Sequence, residues 1–212
     1  MLFITLEGPD GSGKTTQARL LSQWLQSRGH DVVLTREPGG SDIGDQIRGV
    51  LHDSANTAMA AQTEFLLYSA SRAQHVSRLI LPSLKAGKVV VSDRYADSSL
   101  AYQGYGRGLD LEKLRVITDF ATRGVRPDLT LYLDIAAGQG LERRFNSGEA
   151  WNRMDAEALA FHRRVRNGYL ELASAEPDRW EVIDANRPID DVQRDVRAVV
   201  AARLDATSHY GT

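Results

Sequence analysis

The chain has 212 residues, 26 Lys plus Arg against 28 Asp plus Glu, a formal net charge of −2, 42% hydrophobic residues and no cysteine. That is enough for one substantial domain with a real core, and a slightly acidic balance speaks against a protein that lives on duplex DNA. The cysteine count excludes disulfide scaffolds and thiolate metal sites, no apolar run approaches the ~20 residues of a membrane-spanning helix, and no basic segment precedes the short apolar start, so a cytoplasmic location without a secretory signal is expected.

The elements alternate along the chain. LFITLE, residues 2–7, reads as a buried strand. The stretch from Gly8 through Pro9, Asp10, Gly11, Ser12, Gly13 and Lys14 to Thr15 fits the phosphate-loop pattern G-x-x-x-x-G-K-[ST] at every fixed position. Residues 15–28 then read as a helix, with Ala18, Leu21 and Leu25 at helical spacing and Gly29 as its stop. Residues 31–35 predict a second strand, REPGGSD a loop, and 43–51 a short helix. A long helix is expected over 63–84, with Pro82 near its end, then a third strand over 88–93. Residues 111–123 read as helix, 128–135 as the fourth strand, 156–175 as helix, 179–185 as the fifth strand and 189–204 as the last helix. The tail beyond is expected to fray.

Short β-rich runs separated by helices imply a parallel sheet covered on both faces, an α/β single doubly wound domain with five strands. Ligands on such sheets bind beyond the carboxyl ends of the strands. Candidate chemistry does cluster there: Gly8 to Thr15 after the first strand, Arg36 and Glu37 after the second, Asp93 and Arg94 after the third, Asp134 at the end of the fourth.

In the phosphate loop the glycines let backbone N–H groups turn inward and the following helix N-terminus adds positive partial charge. Lys14 is expected on the β- and γ-phosphates of a nucleoside triphosphate and the Thr15 hydroxyl on Mg²⁺. Asp93, closing a buried β-run, suits Mg²⁺ held through water. It is followed by Arg94 rather than by a second acid, which favours an anionic acceptor over the activation of water. Among the basic residues 22 are Arg and four are Lys; a guanidinium fork grips phosphate bidentately where an ammonium does not. Tyr68 and Arg72 are four apart and share a helix face, an arrangement able to stack a base and bond its edge; alone, the spacing favours core packing beside a surface arginine.

EGPDGSGKTT, TREPGG, SRAQH, SDRY, AYQGYGRG and RPDLTLYLD occur in this order at spacings that resemble the thymidylate kinases, over roughly residues 2–204. The resemblance implies the P-loop nucleoside monophosphate kinase fold and transfer of the γ-phosphoryl group of ATP to dTMP with Mg²⁺, in dTTP biosynthesis. It implies an ATP site from Gly8 to Thr16 with Arg143 on the adenine. Asp10 then resembles the acid on the acceptor's 3′-hydroxyl, and Arg36, Arg48 and Arg94 the clamps on its phosphate. Tyr68 takes the position of the aromatic that stacks on thymine and Arg72 that of the arginine that bonds it. Ser99, Tyr102 and Gln103 fall where the base edge is read and the 2′ position crowded. Glu37 and Asp93 resemble the metal-side acids. A homodimer is implied as well.

In one branch of that family an Arg follows the acid in the phosphate loop; here Gly11 does, so the catalytic cation is expected from a lid, approximately 138–155, inside a kinase domain spanning 1–205 ahead of a tail, 206–212. Arg153, in NRMD, and Arg144 are the candidates, and the sequence does not choose between them. The stretch departs from the family where Ser147 replaces an expected Arg, where one residue is inserted and where Trp151 stands. Two rival readings are a different nucleoside monophosphate kinase and a P-loop ATPase or switch protein.

Overall fold

The computed structural model describes residues 2–146, 148 and 151–208. The strands are β1 (Leu2–Glu7), β2 (Val32–Arg36), β3 (Val89–Asp93), β4 (Leu129–Asp134) and β5 (Trp180–Asp184). They form a five-stranded parallel sheet in the order β2-β3-β1-β4-β5. β1 lies at the centre, with Ile4 opposite Val91 of β3 and Leu129 of β4. Every residue of β1 is buried, as a central strand covered on both faces must be.

Alternation sorts the side chains between two layers. Leu2, Ile4 and Leu6 face α1 (Lys14–Ser27) and α9 (Ile189–Ser208), packing on Leu21 and Leu25 of the first and Val196 and Val200 of the second. Phe3 and Val90 face the other way, onto Val76, Ile80 and Tyr95. A third cluster joins Tyr132 of β4 and Trp180 of β5 to Tyr169 and Phe161 of α8 (Leu159–Ala175). Gly29, at φ 86°, closes α1 with its N–H on the Gln26 carbonyl.

The helix expected over 63–84 is present as α3 (Ala61–His75), a π-helical turn (Val76–Ile80) and α4 (Leu81–Lys85). Pro82 has no N–H to bond back to Arg78, and the helix widens there instead of ending. α2 (Asp42–His52) and α6 (Leu111–Thr122) lie as expected within a residue or two. Three features differ from the sequence expectation. Residues 96–106, given no element, form α5 (Ala96–Ser99) and a π-helical segment (Leu100–Gly106); serines and glycines there hide any apolar period. α7 (Ala137–Asn146) occupies the start of the expected lid, and α8 begins at Leu159, not at 156. α9 continues to Ser208, so residues 205–208 are helical, not frayed. Ser147 and residues 149 and 150 of the expected lid, and 209–212 of the expected tail, lie outside the described residues.

The sheet order sends the chain from β1 outward to β2 on one side and later to β4 on the other. A crevice opens where the two directions part, at the carboxyl ends of β1 and β3.

Candidate active site

A cavity of about 550 Å³ occupies that crevice. Its floor is the loop between β1 and α1. Gly11 (φ 78°) and Gly13 (φ 89°) take left-handed conformations, and Gly13 caps α1. A side chain at Gly11 is excluded for a second reason: a Cβ there would lie 2.0 Å from the carbonyl oxygen of Gly140 in α7. The phosphate loop and the base of the expected lid thus meet backbone to backbone, and an arginine at position 11 has no room. Asp10, Gly11, Gly13, Lys14, Thr15 and Thr16 line the cavity, while Gly8, Pro9 and Ser12 shape the loop behind them.

Lys14 folds over its own loop, donating to the Pro9 carbonyl at 2.8 Å and to Ser12 Oγ at 3.4 Å. Burial, with the charge of Arg94 beside it, lowers its pKa to about 8. The ammonium is held on weak neutral acceptors in a spot that an anion would relieve. Thr15 donates its hydroxyl to Asp93 Oδ2 at 2.5 Å.

Arg94 ties the two halves of the site together. Its Nη2 donates to Asp10 Oδ1 at 2.6 Å and to the Tyr102 hydroxyl at 3.0 Å; its Nη1 donates to Ser98 Oγ and the Tyr169 hydroxyl, both at 3.2 Å. Tyr102 in turn donates to Asp10 Oδ2 at 3.0 Å. Burial alone would raise the Asp10 pKa, but Arg94 and Lys14 beside it outweigh burial and hold the carboxyl well below the usual carboxylate range. Behind this cluster lies Glu7, fully buried at the end of β1. It accepts from the Tyr95 N–H at 2.8 Å, Ser98 Oγ at 2.6 Å and the Tyr169 hydroxyl at 2.7 Å. Burial, reinforced by Asp97, raises its pKa to about 7.

On the far side Tyr68, Ser99, Tyr102 and Gln103 line the cavity, as do Arg36 and Arg48. Burial pushes the Tyr68 phenol up to about 12, so it is neutral. Arg36 pairs with Asp45 at 3.1 Å on a half-exposed edge, and Arg48 donates to the Pro38 carbonyl at 3.0 Å. Arg72 is buried just behind the wall. Its Nε bonds Glu37 at 2.7 Å and its Nη2 bonds the Tyr95 carbonyl at 3.1 Å and Ser99 Oγ at 3.0 Å, while its Nη1 has no partner. Glu37 also lines the cavity. One carboxylate oxygen holds Arg72 and the other faces His75 Nδ1 at 3.1 Å, so in this structure Glu37 orients Arg72.

The lid-side arginines separate. Arg143 lines the cavity and is braced by the Ala185 carbonyl at 2.9 Å and Asn186 Oδ1 at 3.2 Å. Arg144 also lines it and pairs with the fully buried Asp155 at 3.0 Å. Arg153 does not. Its Nη1 is 2.5 Å from Glu64 and its Nε donates to the Leu51 carbonyl at 3.2 Å, so two of its nitrogens are held by α2 and α3, while its buried Nη2 has no partner.

Sequence reasoning missed His52, Ser98 and Tyr169. His52 stands four residues after Arg48 on the same face of α2 and lines the cavity, which was a legible signal. Burial and the charge of Arg48 lower its pKa to about 4, so the ring is neutral. Ser98 and Tyr169 gave no local signal.

Among the described residues no cluster of three or more His, Cys, Asp or Glu side chains surrounds a point able to hold a metal. The Thr15 hydroxyl and Asp93 carboxylate are the oxygen donors at the loop, a sparse set that suits Mg²⁺ completing its shell from phosphate and water.

A parallel α/β sheet with a phosphate loop after β1, and beside it a second chamber lined by arginines and an aromatic ring, defines the class: a P-loop protein that holds another small molecule next to its nucleotide. The particular family follows from comparison. The thymidylate kinase family model matches residues 6–196. The chain is 50% identical to a thymidylate kinase of Roseiflexus sp. (strain RS-1) over 100% of this chain and 98% of the relative. It is 51% identical to that of Roseiflexus castenholzii over 96% and 94%. Its fold matches the crystal structure of thymidylate kinase from Ehrlichia chaffeensis with TM-score 0.78 at 33% identity, covering 94% of this chain and 98% of that one. The chain belongs to the thymidylate kinase family.

Proposed function

We propose that the protein transfers the γ-phosphoryl group of ATP to dTMP, yielding dTDP and ADP on the way to dTTP. The observation that carries this reading is the Asp10–Arg94–Tyr102 cluster, which joins the triphosphate loop to the second chamber through one guanidinium. An oxygen of the acceptor phosphate attacks the γ-phosphorus as the bond to the bridging β,γ-oxygen breaks and ADP leaves. Such transfer needs positioning and charge neutralisation more than covalent help. Lys14 exchanges the Pro9 carbonyl for the β- and γ-phosphates. Arg94, Arg48 and Arg36 hold the acceptor phosphate, and Asp10 takes the sugar 3′-hydroxyl. Tyr102 crowds the 2′ position, Tyr68 stacks on the base and Arg143 packs on adenine. Thr15 and Asp93 are the residues for Mg²⁺, which when bound neutralises charge on the phosphates. Among the lid arginines the reading favours Arg144, which lines the cavity, over Arg153.

The base edge supports thymine. Arg72 Nη1 is a donor without a partner, and Gln103 gives its NH₂ to Glu64 at 2.8 Å, leaving its carbonyl oxygen as an acceptor. Thymine offers the complementary pair, O4 and N3–H. Cytosine inverts both, and a site that leaves buried groups unpaired rejects the wrong base strongly.

The same reading makes residues 1–205 one kinase domain with 138–155 as its lid, and makes the protein a cytoplasmic homodimer. Leu66 of α3 and Val116 and Phe120 of α6 are exposed by 53%, 70% and 85% on two helices that pack together, a face suited to a second copy. No helix among the described residues is long and apolar enough to cross a membrane. A panel of dTMP, dCMP, UMP and AMP with Mg-ATP, assayed for ADP release, tests the function. dTMP is expected to give the highest kcat/KM; preference for another monophosphate, or equal ATP turnover with no acceptor, refutes it.

A further inference from the structure

Glu64, in α3, is buried, and the role given to it above rests on one of its contacts alone. Its carboxylate accepts three hydrogen bonds and forms a further ion pair. Oε1 takes Gln103 Nε2 at 2.8 Å and Arg107 Nε at 3.2 Å; Oε2 takes Arg107 Nη2 at 3.0 Å and lies 2.5 Å from Arg153 Nη1. Both oxygens are thus engaged by more than one donor or cation. Burial works against the charge, but hydrogen bonds from Arg107 and Gln103 outweigh it and hold the carboxyl below its ordinary range. Arg107 is shared with Glu157 at 2.6 Å, so two guanidiniums meet two carboxylates in one balanced network. An ionised carboxylate only accepts. Gln103 must therefore present its NH₂ to Glu64 and its carbonyl to the cavity it lines.

We propose that Glu64 is a positioning residue that fixes the orientation of the Gln103 amide and, through it, the base preference of the acceptor site. The proposal rests on the dTMP reading and deepens it. A glutamine amide is nearly symmetric in shape, and its two ends differ only in whether they donate or accept. Unrestrained, Gln103 turns either end to the cavity and serves thymine N3–H or cytosine N3. Glu64 removes the second option, because turning the amide sets two acceptors against each other in a buried place. The chain thus places part of its base selectivity in a residue that need not touch the base. Arg153, on the same carboxylate, links this arrangement to the expected lid.

The test compares kcat/KM for dTMP and dCMP in the wild type, Glu64→Gln and Arg107→Met. An amide at position 64 lets Gln103 turn, so the dTMP-over-dCMP ratio is expected to fall by about 10-fold or more, mainly through a gain on dCMP. Arg107→Met disturbs the same network but leaves the carboxylate paired with Arg153, which keeps it an acceptor, so its ratio stays within about threefold of wild type even where both rates drop. An unchanged ratio in Glu64→Gln, or an equal collapse in Arg107→Met, overturns the proposal. If Glu64→Gln does not fold, the side-chain amide protons of Gln103 in the ¹⁵N-labelled wild type decide it. They are expected to be exchange-protected before nucleotide is added and unshifted when dTMP binds; protons that exchange freely, or that move onto the base, overturn it. A wild type inactive on dTMP refutes the functional reading, and the same protons in nucleotide-free protein still judge the Glu64–Gln103 pairing.

Discussion

Asp10 keeps its charge in a buried site because Arg94 is held against it, and Arg94 is held in a costly way. It adopts φ 71°, a left-handed conformation unusual for a residue with a side chain, and four hydrogen-bonding groups fix its guanidinium. Strain of this kind persists where surrounding contacts over-determine it. Glu7 supplies much of that determination by anchoring Ser98 and Tyr169, both of which bond Arg94. Its pKa in the fold, about 7 against an ordinary 4.5, makes this anchor pH-dependent. The folded state binds the proton more tightly than the unfolded state, so the stability Glu7 contributes is complete below about pH 4.5 and lost as pH rises through 7. Glu7→Gln removes this dependence. Between about pH 5 and 8 the wild type is expected to lose roughly 3 kcal/mol relative to the variant, read from urea melts of both proteins; parallel pH slopes contradict it. At this scale the sequence was half legible. Asp10 and Arg94 were found because chemistry collects at strand ends. The Glu7–Tyr169 bond spans 162 residues and no spacing rule reaches it. The same limit holds for Glu37, whose partners Arg72 and His75 lie 35 and 38 residues on, so its hold on Arg72 was not legible.

Strong apolar periods made α1, the strands and the long helix readable, and the same rule fails where residues serve the site instead of the core. The segment from Ala96 to Gly106 folds as a short helix running into a π-helical stretch, and its side chains hold Arg94, Arg72 and Glu64. The lid region is the other case. Its arginines looked equivalent in sequence, and only tertiary packing separates Arg144, at the cavity, from Arg153, fastened to α2 and α3. The close approach of Gly11 to Gly140 leaves no room for an arginine at position 11, which supports the proposal of a cation from this side. Arg144→Ala is expected to lower kcat by roughly 10²-fold or more, with Arg153→Ala acting mainly on stability and base selection. Steady-state kinetics at saturating ATP separate them; a normal kcat in Arg144→Ala with a large loss in Arg153→Ala reverses the assignment.

The whole molecule places two anionic ligands at one rim of a twisted sheet. Helices on both faces bury the strands, so the chemistry is confined to the carboxyl ends, and α3 and α6 carry the exposed side chains on which the proposed dimer rests. Phe120 is exposed by 85% on α6, and burying its ring is what the proposed dimer would gain there. Phe120→Asp is expected to shift a dimer to a monomer in light scattering at micromolar protein, with the thermal melt little changed at the level of one subunit; a wild type already monomeric contradicts the proposed assembly. In the proposed reaction the terminal phosphoryl group passes from one nucleotide to another inside the cavity. Incubation with ATP labelled in the γ-phosphate, Mg²⁺ and dTMP tests it directly. The label is expected to appear in dTDP in step with ADP; label released as inorganic phosphate at the same rate with or without dTMP would refute transfer.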